Sequence, residues 1–135
     1  VRLYRLAADQ GLARAQCNLG LMYEQGRAVA RDDTEAARLY RLAADQGLAR
    51  AQCNLALMYE QGRSVARDDA EAVRLYRLAA DQGDERAQFN LGTMYVNGGG
   101  VARDDAEAAQ LFHLAADQGD ADAQCILATM YGEGR

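Results

Sequence analysis

Three cysteines, one histidine, three pairs of adjacent aspartates and one run of three glycines are the places where this 135-residue sequence could do chemistry. Cys17, Cys53 and Cys125 offer a nucleophile, with His113 as the base that would activate it. Asp32–Asp33, Asp68–Asp69 and Asp104–Asp105 offer oxygen ligands for a metal ion, and Gly98, Gly99 and Gly100 offer a loop that could cradle phosphate. None of these is completed by its neighbours. Cys125 and His113 fall on adjacent predicted helices with nothing to mark an oxyanion site. The glycine run has no Lys-Ser/Thr after it. The acid pairs stand where helices start, and there a carboxylate accepts orphan N–H groups and meets the positive end of the helix. His113 occupies the position held elsewhere by Arg41 and Arg77, so it reads as a surface substitution. The expectation is no catalytic residue, no metal ligand and no cofactor.

The elements that must position these residues follow from a strict period. Tyr4, Tyr40, Tyr76 and Phe112 recur every 36 residues, as do Gly11, Gly47, Gly83 and Gly119, and Leu19, Leu55, Leu91 and Leu127. Arg2 to Arg27 matches Arg38 to Arg63 at all but one position, where Gly20 becomes Ala56. Each unit reads as two helices. In the clearest copy the first, helix A, runs from Leu48 to Glu60, with Ala51, Leu55, Met58 and Tyr59 recurring at helical spacing and Gly62 as a left-handed cap. A loop of about seven residues anchored by Val65 follows. The second, helix B, starts at Asp68 with an Asp-x-x-Glu signal to Glu71 that resembles a capping box, repeated by Asp32 with Glu35 and by Asp104 with Glu107. Ala72, Leu75, Tyr76, Ala79 and Ala80 line its apolar face, and Gly83 closes it. Leu42, Leu78 and Leu114 lie off that face and are assigned to contact with the adjacent unit. The fold class is therefore all-α, a solenoid of helix pairs, with units at 1–11 (helix B only), 12–47, 48–83, 84–119 and 120–135 (helix A only).

Composition narrows the function. Half of the residues are hydrophobic, proline is absent and the net charge is −5, which argues against nucleic acid as a partner, since phosphate wants a clustered positive surface. No apolar run reaches the roughly 18 residues of a membrane span. The cysteines occupy one position in different units, and neighbouring helices stand about 8–10 Å apart, beyond the roughly 7 Å a disulfide spans. They read as free thiols, which favours a reducing compartment such as the cytoplasm.

The run Ala15, Leu19, Gly20 and Tyr23 overlaps the tetratricopeptide signature, but the period is two residues longer. The whole unit resembles the Sel-1-like repeat (SLR) family. Gly98, Gly100 and Val101 fit that family's loop, Asp105 follows, and Ala79, Ala80 and Gly83 match the end of its helix B. The sequence departs at Ala28 and Ser64, where the second loop glycine is replaced. It also departs at Ala44 and Gln52, which correspond to the cysteines that tie each helix pair in some secreted bacterial relatives. The resemblance implies a right-handed α-α superhelix with a concave groove used to assemble protein complexes, and no enzyme activity.

A helix advances about 100° per residue. With Ala15, Leu19 and Tyr23 buried, the opposite side of helix A carries Arg14, Arg50 and Arg86; Cys17, Cys53 and Phe89; Asn18, Asn54 and Asn90; and Leu21, Leu57 and Thr93. Leucine and phenylalanine are out of place on a purely solvated face. The expected function is a protein-binding scaffold or adaptor whose groove takes a partner protein or peptide on an apolar floor with guanidinium rungs. The alternative is a cell-envelope module for a small molecule or glycan, and it is disfavoured because Phe89 is the only aromatic platform on that side. Both ends carry the ordinary internal pattern, Leu3, Leu6 and Ala7 at one and Ala123, Leu127 and Tyr131 at the other. The chain thus reads as a segment of a longer array, and copies with such complementary ends are able to stack head to tail.

Overall fold

The computed structural model describes residues 2–132, and among them all regular structure is helical. The helices are α1 (Arg2–Asp9), α2 (Ala13–Gln25), α3 (Asp33–Asp45), α4 (Ala49–Gln61), α5 (Asp69–Asp81), α6 (Glu85–Asn97), α7 (Asp105–Asp117) and α8 (Ala121–Gly132). Even-numbered helices are the A helices and odd-numbered ones the B helices. Val1, the first residue expected in a helix, lies outside the described residues.

Each boundary has a local cause. Gly26, Gly62 and Gly98 end the A helices at φ of 68°, 67° and 72°, a backbone state that penalises any Cβ. Ala28 and Ser64, which replace the second loop glycine, hold the same left-handed state at φ 62° and 58°, beside 71° for Gly100. The loop shape therefore survives the substitution, at the steric cost of a Cβ in that region. The B helices are capped by Asp32, Asp68 and Asp104, whose side chains accept from the backbone N–H of Glu35, Glu71 and Glu107 at 3.0–3.1 Å. Only that half of a capping box forms. The cap residues' own N–H groups donate to the carbonyls of Tyr23, Tyr59 and Tyr95 on the preceding A helix, so the glutamates are free to pair with arginine. Glu71, for example, holds Arg74 and Arg41.

The core runs along the stack as three buried clusters bridged by the half-buried Tyr23 and Tyr95. Tyr40, Tyr76 and Phe112 are buried between their own helix and the preceding A helix, with Ala36, Ala43, Ala72, Ala79, Ala108 and Ala115 allowing close approach. The hydroxyls of Tyr40 and Tyr76 donate to Glu24 (2.6 Å) and Glu60 (2.8 Å), which meets the need of a buried polar group for a partner. Between units each B helix packs on the A helix that follows it, α3 on α4, α5 on α6 and α7 on α8, and long side chains also span like helices. Arg50 reaches Asn18 between A helices, and Arg77 reaches Glu107 between B helices.

Leu42, Leu78 and Leu114 do not make the contact expected of them; they are 39, 41 and 51 % exposed. The buried leucines of the B helices are Leu39, Leu75 and Leu111. The others lie three residues on, about 60° further round the helix, which carries them past the edge of the contact.

Candidate functional site

The A-helix face opposite the core is organised as a ladder. Arg50 donates to Asn18 Oδ1 and Arg86 to Asn54 Oδ1, each at 2.7 Å and each from one A helix to the one before it. Two shallow hollows open along these rungs. One, of about 440 Å³, is bordered by Arg14, Asn18, Leu48 and Arg50. The other, of about 560 Å³, is lined by Leu21, Leu57, Asn54, Asn90, Arg31, Arg63 and Arg86 and by the carboxylate of Glu24. Leu21 and Leu57 are half-buried, so they form a floor that still meets solvent.

The electrostatics of the rungs set them apart. Arg31, Arg38, Arg41, Arg63, Arg67, Arg74, Arg77 and Arg103 are each ion-paired with a carboxylate. Among the described residues Arg2, Arg5, Arg14, Arg27, Arg50 and Arg86 are the arginines without an ion pair, and of these Arg14, Arg50 and Arg86 share one column. The asparagine amides orient Arg50 and Arg86 without neutralising them. A guanidinium carries five N–H donors, so each rung retains charge and donors after bonding its asparagine.

Not every residue of the predicted face lies on it. Cys17 and Cys53 are fully buried beneath the rungs, where Asn54 Nδ2 lies 4.0 Å from Cys17 Sγ and Arg86 lies 3.6 Å from Cys53 Sγ. The columns sit 100° apart from residue to residue, and the next A helix covers the cysteine column while leaving the arginine column open. Burial pushes the Cys53 thiol up to about 11, which the nearby Arg86 offsets only in part. A thiol so shifted stays protonated near neutrality and is a poor nucleophile. Phe89 is half-buried and packs edge-on against Phe112, ring centroids 5.6 Å apart, so part of its ring belongs to the core. Asn90 is half-buried at the far end of the ladder. In α8 the rung and amide columns continue as Asp122 and Ile126, which ends the file of positive charge.

Two polar systems escaped the sequence reading. Arg63 reaches back to the preceding unit and lies 2.9 Å from Glu24 and 3.4 Å from Asp33. Buried Gln16, Gln52 and Gln88 donate to the carbonyls of Ala8, Ala44 and Ala80 and accept from Gln46, Gln82 and Gln118 of the following B helix at 2.7–2.9 Å. The Gln52-to-Ala44 bond thus joins the two positions at which the secreted relatives carry a disulfide. The signal was present, since a glutamine recurs at 16, 52, 88 and 124 beside the buried alanine column.

The family model described as Sel1 repeat matches residues 1–12, 13–48, 49–84, 85–120 and 121–135. The structure is similar to that of c5321, a protective antigen present in uropathogenic Escherichia coli strains displaying an SLR fold, with 41 % identity over 97 % of this chain and 28 % of that one and a TM-score of 0.95. It is also similar to a Sel1 repeat protein from Oxalobacter formigenes, with 38 % identity, 99 % and 55 % coverage and a TM-score of 0.92. Cysteine rich protein B of Helicobacter pylori shares 23 % identity over 92 % of this chain and 94 % of its own with a TM-score of 0.74, a likeness of fold alone. The chain therefore spans about a quarter and about half of the first two proteins. No curated protein sequence matches it. The architecture is a right-handed α-α superhelix.

Proposed function

The chain belongs to the Sel1-repeat family, and on that premise we propose that it holds a partner polypeptide on the ladder face of its A helices. Sel1-repeat proteins are generally non-catalytic protein-interaction scaffolds. The observation that supports this face is the missing counter-charge at Arg50 and Arg86 in a molecule whose neighbouring arginines are ion-paired. The asparagines hold the two side chains in place, so less rotamer entropy is lost when a partner binds. Leu21 and Leu57 add apolar area between the charges.

A pull-down with immobilised chain tests the proposal. The double variant Arg50→Ala/Arg86→Ala should lose the partner. The variant Arg38→Ala/Arg74→Ala, which removes the same charge from the B-helix layer, should keep it. A partner kept by the first variant, or lost equally from both, overturns the assignment of the face.

A further inference from the structure

We infer that Glu60 and Asp69 form an open arginine socket beside the loop between α6 and α7, and that it takes the guanidinium of an arginine presented by a partner polypeptide. The joint one unit earlier shows the socket filled. There Arg63 of the α4–α5 loop sets its Nη2 2.9 Å from Glu24 Oε2 and 3.4 Å from Asp33 Oδ1. Both carboxylates are held in place by other groups. The Tyr40 hydroxyl donates to Glu24 Oε1 at 2.6 Å, and Arg31 donates to Asp33 at 3.3–3.4 Å. One unit on, both walls recur. Tyr76 donates to Glu60 Oε1 at 2.8 Å, and Arg67 donates to Asp69 at 3.3 Å. The helices that carry them are nearly the same: α4 differs from α2 at Ala56, and α5 differs from α3 at Ala70 and Val73. What differs is the cation, since Gly99 stands where Arg63 stands. Glu60 accordingly has no ion pair among the described residues.

The geometry at Gly99 shows that the place is open and aimed at the same carboxylate. A Cβ built there would lie 3.6 Å from Asp69 Oδ2 and 3.7 Å from Met94 Cε, both ordinary contacts. Asp69 thus faces position 99 as Asp33 faces Arg63, and Met94 offers an apolar wall for an arginine stem. Glu60 is half-buried, and a carboxylate short of water gains most from a charge-assisted hydrogen bond. A guanidinium suits the two acceptors, as Arg63 shows, and it is more weakly hydrated than an ammonium. A calcium ion would want six or more oxygens, whereas Glu60 Oε1 already holds the Tyr76 proton. The socket does not use Arg50 or Arg86, so it stands or falls separately from the ladder.

Nuclear magnetic resonance of the isotope-labelled chain tests the socket with acetyl-arginine-amide, which offers one guanidinium and no carboxylate, titrated at constant ionic strength. Saturable shifts are expected at the amides of Asp69 and Gly99, and none at Asp33 and Arg63, where the chain supplies its own cation. Gly99→Arg should fill the socket from within, because the φ of Gly99 lies outside the left-handed region and admits a side chain. The shift at Asp69 should then vanish and the thermal midpoint rise by about 4 °C, the worth of one partly exposed ion pair in a chain of this size. Glu60→Gln still accepts from Tyr76 and should also lose the shifts; it carries the test alone should Gly99→Arg fail to fold. No saturable shift in the parent chain, or shifts that persist in Glu60→Gln, overturn the site. A level midpoint in a folded Gly99→Arg overturns its likeness to the Arg63 joint. Equal shifts from acetyl-lysine-amide overturn the preference for a guanidinium.

Discussion

The unit of α4 and α5 meets its two neighbours through loops of equal length that fasten in different ways. Towards α2 and α3, Arg63 of its own loop lies between Glu24 and Asp33, and Ser64 follows at φ 58°. Towards α6 and α7, the loop contacting it carries Gly99 and Gly100 at the equivalent positions. A Cβ built on Gly100 would stand 2.5 Å from the carbonyl oxygen of Asp69, so that loop lies directly against the start of α5. One junction is tied by a cation set between two carboxylates, the other by backbone packing that only glycine permits. Similarity of the flanking helices does not fix how units couple, because two adjacent loop residues, Arg63–Ser64 against Gly99–Gly100, exchange an electrostatic tie for a steric one.

The difference can be broken first on its steric side. Gly100→Val should destabilise the chain by about 2–4 kcal/mol, combining a left-handed backbone with a β-branched residue and a forced separation from α5. Thermal or urea unfolding measures it, and a loss under about 1 kcal/mol would show that the loop moves away freely. On the electrostatic side, Arg63→Ala should cost about 1 kcal/mol, since the pair is only partly shielded from water. That loss should shrink with added salt, as screening weakens both the tie and the repulsion between the bared Glu24 and Asp33. A salt-independent loss would mean that Arg63 acts through the packing of its stem.

A smaller effect sharpens the comparison at the starts of the A helices. Asp84 and Asp120 cap α6 and α8 by accepting from the N–H of Ala87 and Ala123, whereas Leu12 and Leu48 stand at the same place without a side-chain bond. Leu12 is largely exposed, so Leu12→Asp should stabilise by about 0.5–1 kcal/mol. A melting temperature that stays level or falls would show that Leu12 contributes more through contact than an added cap returns.

These contrasts also mark what could be read in the sequence. The helix pairs, the glycine caps and the aspartate caps were legible because each rests on interactions within about four residues, and a fixed period repeats them in register. The faces of Tyr40 and Tyr76 were legible from helical spacing. The Arg63 tie, 30 and 39 residues from its two carboxylates, was not, since a period shows which positions are equivalent and not which side chains reach across a boundary. The candidate face was legible in its arginine and asparagine columns, yet Cys17 and Cys53 turned out to lie beneath it. One residue around a helix separates an open column from one that the next helix covers. Leu42 shows the same limit, as about 60° round the helix separates it from the buried Leu39.

The paired glutamines bear on how such a chain can change length. At each boundary the first glutamine of one unit donates to the same carbonyl of the unit before it, Gln16 to Ala8, Gln52 to Ala44 and Gln88 to Ala80, while its oxygen accepts from the second glutamine of its own unit. The couplings are interchangeable, so any unit can follow any other with its amides matched. Unequal crossing-over between near-identical stretches such as 2–27 and 38–63 would then add or delete whole units and leave every remaining joint sound, whereas a deletion of part of a unit would unmate the amide at the joint where it falls.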